Sequence, residues 1–377
     1  MNIAIDLIGT NLESGTKTYN INFLKQLLKT NQQNKVYIFL CNSYLKYIDI
    51  NNLPKNILLK KKPNFLKINF IKIIWMQIIF PLELKVLNIE NLFSPMNYCP
   101  IFCSLLKIKV ILGLHTNLPW VYFSRMPGSK IKNFFIKKFM ELSIKCCDKL
   151  IVNSNFAKNE IISYLNIEKK KIWVVYLGAD NQNENAKIEI KNLKNFNFDS
   201  QYILCVSSCV RYHNFITILE SFKDILYKDK KKIKLVFISQ NLDKEYFLEI
   251  NEYVSKNFKN NEIIFFQNLN KKYLKKFYTN ALFYIFSSYC EVFGLTTLEA
   301  MSNNCPVLVS KTSALPEINS DSALYFDPDN KNEIRNKILD LINNFDLRQS
   351  FKDKGLQHVK NFKWSRTFER TMSIILN

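Results

Sequence analysis

Glycine is scarce, with seven in 377 residues. Because glycine alone takes positive φ at no steric cost, each position that keeps one carries information. Gly9, Gly15, Gly178 and Gly294 all fall in loops between expected strands and helices. Histidine is scarcer still, at three, and the nine cysteines form an odd set with no C-x-x-C pair. That excludes the usual zinc frameworks and a disulfide scaffold, and leaves buried thiols of a reducing compartment. No window holds the roughly 18–20 uncharged apolar residues that a spanning helix needs. MNIAIDLIGT lacks a basic leader and a cleavage site, so it reads as a first strand and a cytoplasmic, non-exported chain is expected.

Acidic residues are also few. The whole chain carries 53 Lys and Arg against 32 Asp and Glu, net +21. Residues 1–190 hold 26 basic against 12 acidic groups, +14, and the remainder 27 against 20, +7. An excess of that size invites an anionic partner, whether nucleic acid, acidic membrane or acidic substrate, or else reflects a composition rich in Lys, Asn and Ile throughout. The basic residues are dispersed and no nucleic-acid motif accompanies them, so nucleic acid is not expected as a partner.

A length of 377 residues suits two domains better than one core. Strand-like runs alternate with helix-like ones, beginning with Asn2–Leu7, a helix over 19–28, and Val36–Leu40. Residues 65–87, FLKINFIKIIWMQIIFPLELKVL, are the most hydrophobic stretch. Lys67, Lys72 and Pro81 interrupt it, so it reads either as a core helix or as an amphipathic helix at a membrane surface. The helix expected over 131–147 has a basic face, either solvated or drawn to anionic headgroups. Lys109–Leu114 is a strand, and His115 stands just past its end, well placed for a cleft, although a lone histidine is as readily structural. The polar, Asn- and Lys-rich stretch from 182 reads as a linker. YILCVS at 202–207 then restarts the rhythm, followed by Ser208-Cys209-Val210-Arg211-Tyr212-His213 and a helix. Strands at 234–239 and 263–266 come next, the second ending in Gln267-Asn268-Leu269.

The pivotal stretch is ALFYIFSSYCEVFGLTTLEAMSNNCPVLVS, residues 281–310. It reads strand, polar elbow, helix, strand. Glu291 and Glu299 bracket the helix start, eight positions and a little over two turns apart, so both can face one side. Gly294 and the amides of Leu295 and Thr296 begin the helix, where an anion is favoured. On chemistry alone, Glu291 either complements the helix dipole or joins Glu299 in accepting from sugar hydroxyls.

Glu291, seven residues, Glu299, with Phe293-Gly294-Leu295 and Glu299-Ala300-Met301, resembles the E-x7-E signature of the family 4 glycosyltransferases. Pro306-Val307 and Leu315-Pro316-Glu317-Ile318 fit the same pattern. The resemblance is specific from Tyr202 to Phe326 and looser before it. It implies an α/β chain of GT-B fold: two doubly wound Rossmann-like domains facing a central cleft. The domains are then an acceptor-binding 1–180, a linker 181–200, a nucleotide-sugar-binding 201–360, and a helix 361–377 that crosses back to the first domain. GTNLESGTKTY resembles the family's glycine loop with only Gly15 kept of the usual pair, or is a plain strand-to-helix turn.

The resemblance further implies a retaining hexosyltransferase, independent of metal and cofactor, taking a nucleotide-sugar donor and a glycan or lipid-linked acceptor for surface polysaccharide such as lipopolysaccharide. Such a protein would be cytoplasmic, touching the inner face of an anionic membrane. His115 and Glu291 would meet the donor sugar, and Glu299 the ribose. Gly15, Phe293, Gly294, Leu295 and Thr296 would line the phosphates, and Asn268 and Leu269 the base. The family's phosphate-gripping Arg and Lys are replaced here by Ser208 and His213, with Arg211 two residues before His213 to supply charge. That departure keeps two alternatives open, an inactive homologue and a nucleotide-sugar epimerase, with a basic nucleic-acid-binding protein behind them.

Overall fold

The computed structural model describes residues 1–377 except 9–14, 31–32, 64–68, 180–195 and 241. Most of the expected linker and of the glycine loop before Gly15 lies outside the described residues. The chain forms two compact units. One comprises 1–120, 131–178 and 363–377, and the other 121–130 and 179–362.

The first unit is built on a seven-stranded sheet. Its strands are β1 (Asn2–Asp6), β2 (Lys35–Cys41), β3 (Ile57–Lys62), β4 (Asn91–Ser94), β5 (Lys109–Leu114), β6 (Lys149–Val152) and β7 (Ile172–Val174). Every pairing is parallel, in the order β3-β2-β1-β4-β5-β6-β7. Parallel strands covered on both faces read as unbroken apolar runs, and β2 (KVYIFLC) and β5 (KVILGL) do so, each with only its first residue exposed. β3 (ILLKKK) departs from that rule because it lies at the sheet edge. There Lys62 reaches Glu83 at 2.6 Å and lies over the rings of Phe39 and Trp75.

The C-terminal helix Trp364–Leu376 packs on this first unit. Its buried stripe includes Trp364, Phe368, Met372 and Ile375. Tyr19 and Thr371 hydroxyls meet at 3.2 Å, Asn91 Nδ2 donates to the Ile375 carbonyl at 2.5 Å, and Thr367 Oγ1 donates to the Tyr176 carbonyl at 2.8 Å. The helix starts hard against Gly178, where an added Cβ would stand 2.6 Å from Trp364 Cα.

The second unit carries a six-stranded parallel sheet: β8 (Tyr202–Val206), β9 (Lys234–Ser239), β10 (Ile263–Gln267), β11 (Phe283–Phe286), β12 (Val307–Ser310) and β13 (Leu324–Phe326). The order is β10-β9-β8-β11-β12-β13. Its core gathers Phe215, Ile218 and Phe222 of one helix, Tyr246 and Ile250 of another, Ile334 and Ile338 of a third, and the inward residues Leu235 and Phe237 of β9. Each such side chain stabilises by about 1.5–3 kcal/mol when fully buried. Both strand orders are those of doubly wound, Rossmann-like sheets, in keeping with the expected GT-B architecture. The nine cysteines are all free thiols, eight of them buried.

Gly178→Ala should cost about 1–3 kcal/mol through overlap with the Trp364 backbone. Thermal melting checks this: a melting temperature equal to wild type would show that the final helix does not seat against residue 178.

Candidate active site

In an open parallel sheet, ligands bind beyond the strand carboxyl ends where the strand order reverses. In the second unit that point lies between β8 and β11. The two loops leaving it are 207–214 and 287–294. Both carry sequence-flagged residues, and they are tied to each other. Asn214, at φ 52°, donates through Nδ2 to Ser287 Oγ at 3.2 Å and to the Pro328 carbonyl at 3.0 Å. Tyr289 N–H donates to the Tyr212 carbonyl at 2.8 Å. Ser310 and Thr312 hydroxyls both donate to the Ser288 carbonyl, at 2.6 and 2.7 Å, fixing the elbow from the β12 side.

His213 joins the two loops. Its Nδ1 lies 2.6 Å from the Ser208 carbonyl and its Nε2 lies 3.3 Å from Glu291 Oε1. A carbonyl only accepts, so Nδ1 donates to Ser208, and the Nε2 edge of the ring faces the Glu291 carboxylate. The ring is 8% exposed and packs against Tyr212 and Phe286. Burial and the Glu291 charge both push the Tyr212 hydroxyl well above its ordinary range. Glu291 is itself anchored, its N–H donating to Ser313 Oγ at 2.9 Å and its carbonyl accepting from Ala314 N–H at 3.2 Å.

Arg211 has acidic and aromatic neighbours of its own. Its guanidinium donates to Glu249 at 2.7 Å, approaches Asp243 at 4.0 Å and lies 5.2 Å over the Tyr246 ring. These partners, from 32 to 38 positions downstream, already compensate its charge, so His213 is the basic side chain set against Glu291.

Gly294 caps the Leu295–Ser302 helix at φ 86°. The left-handed backbone favours glycine there, and an added Cβ would also displace the Leu315 Cδ2 methyl, 2.6 Å away. The first intrahelical bond is Thr297 N–H to the Gly294 carbonyl, with the Thr297 hydroxyl donating to Asn319 Oδ1 at 2.6 Å. Leu295 and Thr296 occupy the open first turn, and Tyr284 OH donates to Thr296 Oγ1 at 2.9 Å. Phe293 is buried against Phe362. Glu299 is half-buried one turn further on, and its charge contributes, after burial, to raising the Tyr278 hydroxyl. The helix ends in a Schellman motif. Asn304, at φ 57°, donates to the Met301 carbonyl at 3.0 Å, and Cys305 N–H to the Ala300 carbonyl at 3.1 Å. Asn268 stands at φ 53° past β10, its N–H on the Ser239 carbonyl at 3.0 Å, with Leu269 half-buried beside it.

Gly15 opens the Gly15–Lys29 helix of the first unit with open space where a Cβ would be. His115 follows β5. Its Nδ1 lies 3.1 Å from Asn153 Nδ2. Its Nε2 is shielded from solvent and has no partner among the described residues, and the ring packs tilted against Tyr19 with centroids 4.6 Å apart. Burial lowers its pKa to about 4, only partly opposed by Asn153. At neutral pH the ring is therefore uncharged. Among the described residues no His, Cys, Asp or Glu group is arranged to hold a metal ion.

Models of two sequence families match most of the chain, one after the other. Glycosyltransferase Family 4 matches residues 14–183, and Glycosyl transferases group 1 matches residues 186–358. The chain belongs to the family 4 glycosyltransferases. This glycosyltransferase is 24% identical over 260 residues to the O-antigen chain mannosyltransferase RfbU of Salmonella typhimurium, covering 67% of this chain and 68% of that one. It is 25% identical over 247 residues to the capsular polysaccharide biosynthesis glycosyltransferase CapM of Staphylococcus aureus, covering 63% of each. Among solved structures, a glycosyltransferase from Rickettsia africae shares the fold at TM-score 0.73 and 18% identity, over 99% of this chain and 97% of that one. Anabaena Alr3699/HepE in complex with UDP-glucose does so at 0.73 and 11%, over 99% and 100%.

The His115 shift has a definite sign. The unfolded chain takes up a proton at this residue below about 6.5 and the folded chain only below about 4. Its stabilising contribution is thus complete above pH 6.5 and lost as pH falls towards 4. Between pH 7 and 5 wild type should lose about 1–2 kcal/mol that His115→Gln does not lose. Urea unfolding at the two pH values measures it, and parallel losses in both proteins would contradict the assignment.

Proposed function

We propose that this glycosyltransferase moves a hexose, with retention of anomeric configuration and without a metal, from a nucleotide-sugar donor to a glycan or lipid-linked acceptor in surface polysaccharide synthesis. The observation that carries this reading is the pairing of His213 with Glu291 across the β8/β11 reversal, beside the Gly294-capped helix start. The names of RfbU and CapM, an O-antigen and a capsular enzyme, support polysaccharide as the product class. The UDP-glucose in the Anabaena protein supports a nucleotide-sugar as donor.

Each residue then has a distinct task. Amides of Leu295 and Thr296 at a helix N-terminus favour the donor diphosphate, and His213, once protonated, adds a positive charge near it. Charge accumulates on the diphosphate as the glycosidic bond breaks, and fixed donors aimed at developing charge are usually a large catalytic contribution. Glu291 accepts from the sugar hydroxyls while holding His213 in place. Glu299, on the same helix, accepts from the ribose hydroxyls, and Asn268 and Leu269 meet the base. His115, an uncharged imidazole, suits a neutral sugar hydroxyl better than a phosphate. Work at the inner face of a membrane fits the basic first 190 residues and a chain whose described helices include none long and apolar enough to span.

The test is a thermal-shift screen against UDP, GDP, dTDP and their sugars, repeated with Glu299→Ala. One nucleotide series should raise the wild-type melting temperature, and Glu299→Ala should abolish transfer and weaken that nucleotide at least about tenfold, the loss of about 1.4 kcal/mol of ribose contacts. Full turnover by Glu299→Ala would sink the assignment.

A further inference from the structure

Large apolar side chains are exposed very unevenly. Of 22 that stand exposed among the described residues, 13 fall between Ile71 and Leu142, within the first unit. The helical run 69–86 accounts for seven of them. It consists of Asn69–Ile74, a π-helical turn at Trp75–Ile79, and Phe80–Val86. Its inner face buries Trp75, Met76, Phe80 and Leu84, with Lys72 sunk beside them and donating to Tyr98 OH at 3.1 Å. A surface helix should then be polar on the other side. Here the outer face repeats Ile71, Ile74, Ile78, Leu82 and Val86 at helical spacing, from 38% to 79% exposed.

A second outward stripe runs beside it. Ile131, Phe134, Phe135 and Leu142 project from the Lys130–Cys146 helix, with Phe135 66% exposed. The segment 98–101 joins the two helices laterally. Gln77 Nε2 donates to the Cys99 carbonyl at 3.3 Å and Ile101 N–H to Gln77 Oε1 at 2.8 Å, while Cys99 N–H donates to Ser143 Oγ at 3.2 Å and Tyr98 packs on Phe139. Phe102 and Leu105 add to the same surface from the short helix Ile101–Leu106.

Charge identifies the occupant. Residues 69–146 contain ten Lys and Arg against three Glu; with Lys72 buried, nine basic groups against three acids remain, a balance of +6. Two of those acids are already paired, Glu83 with Lys62 and Glu141 with Lys138. An apolar, flexibly packed protein partner would not need that excess. A sheet of anionic headgroups over hydrocarbon matches both properties, since apolar side chains enter the acyl boundary and each basic group near the surface adds about 1 kcal/mol.

We propose that the outer faces of 69–86 and 130–146 form one docking surface for an anionic lipid bilayer. The proposal deepens the membrane-face reading above and rests on it, by naming the surface that makes the contact. Its consequence is that Ile78, Leu82, Phe134 and Phe135 insert while Lys130 and Lys132 sit among headgroups.

Vesicle flotation of the full chain tests it, using phosphatidylcholine alone and phosphatidylcholine mixed with phosphatidylglycerol. Wild type should float with the mixed vesicles and not with the neutral ones, less so as salt rises. Phe134→Ser with Phe135→Ser, and separately Ile78→Ser with Leu82→Ser, should each reduce partitioning at least about tenfold, because each removes two inserted side chains. Lys130→Glu with Lys132→Glu should erase the preference for anionic vesicles. Failure of wild type to float, undiminished flotation of both apolar double variants, or a solution dimer that Phe134→Ser with Phe135→Ser dissociates would overturn it. Donor-induced thermal shifts in the same variants should match wild type, so loss of docking is read separately from loss of the donor site.

Discussion

All carboxyl ends of a parallel sheet point the same way, and only a reversal of strand order opens a gap among the loops that leave them. The second unit has one such gap, between β8 and β11, and the site is built from the two loops that part there. A gap alone gives no chemistry. What makes this one specific is a single histidine held between a carbonyl and a carboxylate. It ties two separate loops into one surface beside a helix N-terminus that favours an anion. The Asn214–Ser287 and Tyr289–Tyr212 bonds stiffen the same junction, so the ring is held in position before any ligand arrives.

Much of this could be read from the sequence because it is local. The uninterrupted apolar runs, the punctuation by Gly294 and Pro306, and the eight-residue spacing of Glu291 and Glu299 each reflect neighbours along the chain. The left-handed cap at Asn304 follows from the same kind of rule, with asparagine next after glycine in tolerating that backbone. The two-domain α/β class was therefore legible, and the family models agree with it.

What was not legible is non-local or against pattern. β3 escaped notice because ILLKKK has no strand-like alternation, and its lysines are tolerated by an edge position, Glu83 and two aromatic rings. Helices at Asn155–Leu165, Lys244–Asn257 and Phe345–His358 present polar faces that blur the period. The Arg211–Glu249 pair, 38 positions apart, cannot be seen from the chain alone. The reading of 65–87 offered a core helix or a surface helix. The described part is both at once, buried on one side and apolar on the exposed side.

Calorimetric titration of the preferred nucleoside diphosphate into wild type, His213→Ala and His213→Lys tests the place of the diphosphate at the β8/β11 junction most directly. Affinity should fall at least about tenfold in His213→Ala and be restored by the lysine, as expected for a hydrogen bond to a charged group of about 1.5–3 kcal/mol. Equal affinity in all three proteins would move the diphosphate away from that junction.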